Sequence, residues 1–212
     1  MKTFEQMIDG YRNFRDTEWR QERERWASLA EGQSPKVMVI SCSDSRVDPA
    51  QILDVAPGEI FVVRNVAALV PPFETTPGRH GVSAAVEFAV QFLKVEEIVV
   101  MGHGLCGGCQ AALTRNLHGN AMGEGGFVAH WVDMLDEARE PIAAKYGTTG
   151  REAELAMELE AVKVSLANLG TFPYVAEKVE SGVLALRGAH FAISDGILRL
   201  LDVDTGEFRP AD

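Results

Sequence analysis

Val37-Met38-Val39-Ile40-Ser41-Cys42-Ser43-Asp44-Ser45-Arg46 sets an unbroken apolar run directly before a cluster of small polar and charged residues. An apolar run without alternation suits a strand buried on both faces of a parallel sheet, where helices cover each side. Ile60-Phe61-Val62-Val63, introduced by the turn residues Pro57 and Gly58, and Ile98-Val99-Val100-Met101 have the same character. Between them Val82, Val86, Ala89, Val90 and Leu93 recur at helical intervals over Gly81 to Lys94. Strand, helix and parallel strand make a crossover unit, so the chain reads as α/β.

Outward from that centre, a helix is expected from Cys106 to Leu117, a glycine-rich loop over Gly119 to Gly126, and a helix over Phe127 to Tyr146 interrupted at Pro141. Leu155, Leu159, Val162, Leu166 and Leu169 then repeat at intervals of four and three, with Glu152, Glu154, Glu158 and Glu160 opposite, and Gly170 closes that helix. Pro173 to Ser181 reads as a short helix. Phe191-Ala192-Ile193, Asp195-Gly196 and Leu198 to Val203 read as a hairpin. The expected architecture is a mainly parallel sheet of about four strands plus an antiparallel edge strand, flanked by helices. Phe4, Met7, Tyr11, Phe14, Trp19 and Trp26 form a stripe of large apolar and aromatic residues among many charges. Residues 1–34 are therefore a helical N-terminal arm that contacts a dimer partner, and 35–212 are the α/β domain.

Twenty basic against 31 acidic side chains give a net charge of -11, with no basic stripe. That balance excludes nucleic acid and anionic membrane surfaces as partners. No apolar run approaches the ~18 residues a membrane span needs, and the charged N-terminus lacks an apolar leader, so a cytoplasmic protein is expected. Three cysteines, Cys42, Cys106 and Cys109, are an odd number for a disulfide framework in a reducing compartment.

Cys42 follows the first apolar run and His103-Gly104-Leu105-Cys106 follows the third. Ligands in open α/β sheets bind at the carboxyl ends of strands, where both segments fall. Two thiolates and an imidazole suit zinc, with a fourth position left for water or substrate. A buried cysteine after a strand is ordinarily a packing residue, and Cys106-Gly107-Gly108-Cys109 also admits a redox reading. Gly102, Gly104, Gly107 and Gly108 favour a ligand site by letting backbone approach it, and Cys109 reads as packing in the first turn of the next helix. Asp44 and Arg46 are close enough for a charge-assisted pair, through which a fixed carboxylate can bond to a metal-bound water or replace it.

These residues are similar to the two signatures of the β-class carbonic anhydrases, Cys42-Ser43-Asp44-Ser45-Arg46 and His103-Gly104-Leu105-Cys106-Gly107-Gly108. The likeness continues through Pro57-Gly58-Glu59, Val63-Arg64-Asn65-Val66-Ala67, Val70-Pro71-Pro72 and Gly188-Ala189. The resemblance implies one zinc per chain on Cys42, His103 and Cys106, with Asp44 and Arg46 as a catalytic dyad and Asp44 as fourth ligand in a closed state. It implies that Gln33 and the backbone N–H of Gly107 hold bicarbonate, and that Phe61, Val66 and Phe88 wall an apolar pocket shared with a neighbouring subunit. The activity implied is reversible hydration of carbon dioxide to bicarbonate and a proton by zinc-bound hydroxide, in a homodimer or a tetramer of dimers. Hydrolysis of carbonyl sulfide or carbon disulfide on the same site, or a non-catalytic zinc-stabilised bicarbonate sensor, are the alternatives. The proton would leave through buffer or through His80, His118 or His130. Ala68, Gly104 and Phe88 stand where the family commonly has Asn, Ser and Tyr. Val39 and Ser41 replace the Trp and Gly of the subgroup with a regulatory bicarbonate site, which Arg64 alone cannot build.

Overall fold

A computed structural model describes residues 1–211 and divides the chain into two compact units, Met1–Ser34 and Pro35–Asp212. The first unit holds three helices, α1 (Phe4–Asp16), α2 (Glu18–Gln21) and α3 (Arg23–Glu31). Thr3 and Gln6 close a capping box at the start of α1, satisfying donors that a helix otherwise leaves open. Phe14 meets Trp26 edge to face at 5.7 Å. Phe4, Met7 and Tyr11 remain more than half exposed.

In the second unit the strands are β1 (Val37–Cys42), β2 (Ile60–Asn65), β3 (Glu97–His103), β4 (Ala185–Phe191), β5 (Leu198–Leu201) and β6 (Phe208–Pro210). They form one sheet in the order β2-β1-β3-β4-β5-β6. The first four are parallel, with β5 and β6 antiparallel at one edge. The sheet thus ends in two antiparallel pairings, β4 with β5 and β5 with β6, where one edge strand was expected. The fourth parallel strand runs over Ala185–Phe191 rather than Phe191 to Ile193, because Arg187, Gly188 and His190 break up the apolar run that would have marked it.

The helices of this unit are α4 (Pro49–Ile52), α5 (Gly81–Glu87, continued by a π-helical turn over Phe88–Leu93), α6 (Gly107–Thr114), α7 (Gly126–Val132), α8 (Asp136–Tyr146), α9 (Arg151–Leu169) and α10 (Pro173–Glu180). Helix α6 stops before Leu117 because Arg115 turns left-handed at φ 53°. The break between α7 and α8 falls at a 3-10 turn over Asp133–Leu135, not at Pro141, which sits inside α8. Pro141 and Glu137, whose carbonyl the proline leaves unpaired, are both exposed, so solvent can satisfy the lost bond.

Strand β1 is buried on both faces, as its sequence demands: Met38 and Ile40 join one apolar cluster and Val39 joins another. A third cluster, with Cys42, Cys106, Cys109, Leu113 and Met157, lies at the carboxyl ends of β1 and β3. Helix α9 spans two clusters, but its fully buried face is Ala153, Met157, Ala161, Val162, Ser165 and Leu169, with Leu155 and Leu159 only half-buried. Small residues on that face let the helix lie close to the sheet. A Cβ on Gly102 would sit 2.7 Å from Cγ2 of Val162, so this glycine serves helix packing rather than a ligand. Glu158, expected on the solvent side, is 2% exposed.

Candidate metal centre

Strand β1 leads on to β2 on one side while its other neighbour, β3, leads on to β4 on the opposite side, so connections leave the adjacent carboxyl ends of β1 and β3 in opposite directions and open a crevice there. Cys42 ends β1, His103 ends β3, and Cys106 is the residue preceding the first turn of α6. All three are buried, and their Sγ, ring nitrogen and Sγ atoms lie within 4.8 Å of one another. His103 Nδ1 is 2.9 Å from the Gly104 carbonyl. A carbonyl can only accept, so the proton is on Nδ1 and Nε2 presents a lone pair. That Nε2 is buried with no hydrogen-bond partner among the described residues, which a metal ion at the centre of the triad would supply.

The thiols agree with that assignment. Hydrogen bonding to Cys106, followed by burial, pushes the Cys42 thiol up to about 12, and bonding to Cys109, with burial, does the same for Cys106. Two thiols in an apolar cluster keep their protons unless a cation compensates the charge. The donor set therefore fits a borderline-soft divalent metal and leaves a fourth position open. Cys109 is 4% exposed within the same cluster and serves as packing.

Asp44 is gripped by Arg46 through three bonds: backbone N to Oδ1 at 2.9 Å, Nε to Oδ1 at 2.9 Å and Nη2 to Oδ2 at 2.7 Å. Hydrogen bonding by the Arg46 side chain holds the carboxyl well below the usual carboxylate range. Oδ2 also lies 4.0 Å from His103 Nε2, so the carboxylate edge faces the triad. Arg46 Nη2 makes a further bond, to the Leu105 carbonyl at 3.0 Å.

Arg64 on β2 has a structural use the sequence did not disclose. Its guanidinium donates to the carbonyls of Cys42 at 2.9 Å, Asp44 at 2.7 Å and Val47 at 3.2 Å, and to Asp48 at 3.1 Å. The loop carrying Asp44 and Arg46 is thereby tied to the neighbouring strand. Because the partners are mostly backbone carbonyls, no side-chain pattern announced it. Val39 and Ser41 are fully buried.

Among the remaining pocket residues, Val66 lies against α6, where a Cβ on Gly108 would meet its Cγ1 at 2.7 Å, and Trp131 donates to the Val66 carbonyl at 2.8 Å. Gly107 opens α6 and is exposed. Phe61 and Phe88 pack as a tilted pair with ring centroids 5.8 Å apart. Phe61 pairs with Met38, whereas Cys42 pairs with Asn65, so Phe61 is removed from the triad by roughly 13 Å of strand. Gln33 is exposed and belongs to the first unit. His80 is bound to Thr76 at 2.9 Å and His130 to Asp133 at 2.9 Å, and neither bonds to the dyad. Glu158 accepts from the N–H of Leu105, between His103 and Cys106, at 2.6 Å, and its position between Ala153, Met157, Ala161 and Val162 was the only sequence signal of its burial.

An α/β sheet with a Cys₂His donor set at its switch point, beside an arginine-held carboxylate, defines a metal-dependent enzyme centre. The family model for carbonic anhydrase matches residues 37–198. Beta carbonic anhydrase 3 of Arabidopsis thaliana is 35% identical over 201 residues, covering 94% of this chain and 77% of that protein. Beta carbonic anhydrase 5, chloroplastic, of the same plant is 35% identical, covering 95% of this chain and 65% of that protein. The structure of the β-carbonic anhydrase CcaA superposes with a TM-score of 0.89 at 29% identity, covering 97% of this chain and 98% of CcaA. A tetrameric β-carbonic anhydrase of Sordaria macrospora gives 0.80 at 28% identity, covering 93% and 96%. The chain belongs to the β-carbonic anhydrase family, whose enzymes are carbonate dehydratases.

Proposed function

We propose that this chain catalyses reversible hydration of carbon dioxide to bicarbonate and a proton, using one zinc ion held by Cys42, His103 and Cys106. The observation that carries the reading is the convergence of those three donors next to a carboxylate fixed by Arg46. When bound, zinc supplies Lewis acidity that lets water ionise near neutrality.

The dyad sets the direction of attack. Asp44, kept ionised by Arg46, is a weak base and a strong acceptor. It therefore orients the reacting water by accepting one O–H at Oδ2, leaving a lone pair turned toward carbon dioxide, and does not itself retain the proton. Released from Arg46, the same carboxylate faces the triad closely enough to serve as the fourth ligand of a closed form. The N–H of Gly107, in the first turn of α6, is a donor for bicarbonate, and Val66 walls the apolar side. Phe61 and Phe88 contribute to that wall across an interface between copies. Exposure of Phe4, Met7, Tyr11, Phe88 and Phe92 supports a homodimer or larger even assembly. Three free thiols suit a reducing compartment such as the cytoplasm, and among the described residues no helix is long and apolar enough to cross a membrane. Stopped-flow hydration with zinc quantification tests the reading: loss of both zinc and activity in Cys42→Ala supports it, and full activity in that variant contradicts it.

A further inference from the structure

The buried carboxylate of Glu158 belongs to neither the triad nor the dyad, yet it bonds to the peptide whose carbonyl holds His103. Its Oε1 accepts from the Leu105 N–H at 2.6 Å and from Arg151 Nη1 at 2.9 Å. Its Oε2 accepts from Arg151 Nη2 at 3.3 Å and from His190 Nε2 at 3.1 Å. Arg151 reaches this position past Gly104, where a Cβ would stand only 3.3 Å from Nη2.

The Leu105 N–H belongs to the same amide as the Gly104 carbonyl. That carbonyl accepts the Nδ1 proton of His103 at 2.9 Å. A carboxylate drawing on the N–H end of an amide makes its oxygen a better acceptor, because polarisation passes through peptide resonance. Leu105 is itself left-handed, at φ 59°, a conformation unfavourable for a branched residue. Its own carbonyl, in the next peptide, accepts from Arg46.

We infer that Glu158 is a positioning residue, the remote end of a carboxylate–peptide–histidine relay that fixes the His103 tautomer and strengthens His103 as a metal ligand. The same bond holds the left-handed turn at Leu105 that aims its carbonyl at Arg46. A bond from a charged acceptor to the peptide explains why a full negative charge, balanced by Arg151, is buried here. The inference deepens the zinc reading above and rests on it, since outer partners of ligating histidines commonly change metal affinity by about 10–100-fold.

The test uses the full chain, as Glu158→Ala and the isosteric Glu158→Gln, prepared free of metal and titrated with zinc against a competing chelator. Amide NMR of the metal-free protein reports the Leu105 N–H and the His103 Nδ1–H. The relay predicts a far-downfield Leu105 amide proton in the wild type that moves upfield in Gln and further in Ala. Zinc affinity falls in the same order, by about tenfold in Ala. Should Ala fail to fold, Gln decides: unchanged Leu105 and His103 resonances with unchanged zinc affinity overturn the inference, even if Glu158→Gln lowers stability. The resonances in metal-free protein test the relay even if the wild type binds no zinc, an outcome that would instead remove the proposed function.

Discussion

Arg46 holds Asp44 by both faces of its fork, Nε to Oδ1 at 2.9 Å and Nη2 to Oδ2 at 2.7 Å, leaving Oδ2 4.0 Å from His103 Nε2. The planar guanidinium fixes both the charge and the direction of the carboxylate, which a point charge on a flexible stem cannot do. Arg46→Lys should therefore behave almost as Arg46→Ala, each lowering kcat for hydration by about 100-fold while zinc content stays at one per chain. Steady-state hydration rates beside metal analysis check this, and a fully active Arg46→Lys would show that direction is immaterial.

The raised thiols make metal binding proton-linked. With Cys42 and Cys106 both pushed up to about 12, the metal-free protein holds both protons near neutrality, and zinc uptake should release about two protons. Calorimetry in buffers of differing ionisation enthalpy counts them. The sign for stability also follows. Thiols whose folded value exceeds the unfolded value stabilise the metal-free fold fully below about 9 and lose that contribution as pH rises toward about 12. The denaturation midpoint of metal-free protein should fall across that window, more steeply than that of Cys106→Ala.

Arg64 carries the loop between the triad and the dyad. Arg64→Met removes the guanidinium donor from the carbonyls of Cys42, Asp44 and Val47, of which Asp44 still accepts from the Val47 N–H at 3.2 Å, and should cost about 1–3 kcal/mol in a denaturant titration. Hydration activity should fall as well, since the loop bearing Asp44 loses its tie to β2.

Gly102 leaves no room for a side chain under α9. Gly102→Ala would press a methyl to 2.7 Å from Val162 Cγ2 and should destabilise by about 1–3 kcal/mol. Val162→Ala added to it should recover part of the loss, giving a coupling of about 0.5–3 kcal/mol in a double-mutant cycle. Additive effects would show that the helix shifts instead.

The exposed stripe of α1 gives the assembly its own test. Replacing Phe4, Met7 and Tyr11 together with Ser should leave the second unit folded and lower the mass measured by light scattering. A wild-type monomer at micromolar concentration would contradict the proposed even assembly.

The reach of the sequence followed the physics of each element. Strands β1 and β3 were legible because burial on both faces demands continuous apolar runs, and Cys42 and His103 could be placed together because each ends one; β2 carries the same kind of run although it is an edge strand with Val62 exposed. Strand β4 was misplaced since Arg187 and His190 interrupt its pattern, and β6 is a three-residue edge strand ending on a proline. Asp44 and Arg46 could be paired from their spacing alone. Arg64 could not, because it binds carbonyls that every residue possesses. Glu158 was assigned to solvent by its charge, although its helical position matched the buried face. A buried carboxylate needs compensating donors, and these come from Arg151, His190 and a peptide N–H, groups that only the fold brings together.

Carbon dioxide hydration by the zinc-loaded chain, followed by stopped flow at about pH 8 and compared with Asp44→Asn, tests the central claim most directly. Hydration should run far above buffer, rising with pH between roughly 7 and 9, with a loss of about 100-fold in Asp44→Asn that retains its zinc. A folded protein carrying one zinc per chain that hydrates no faster than buffer would contradict it.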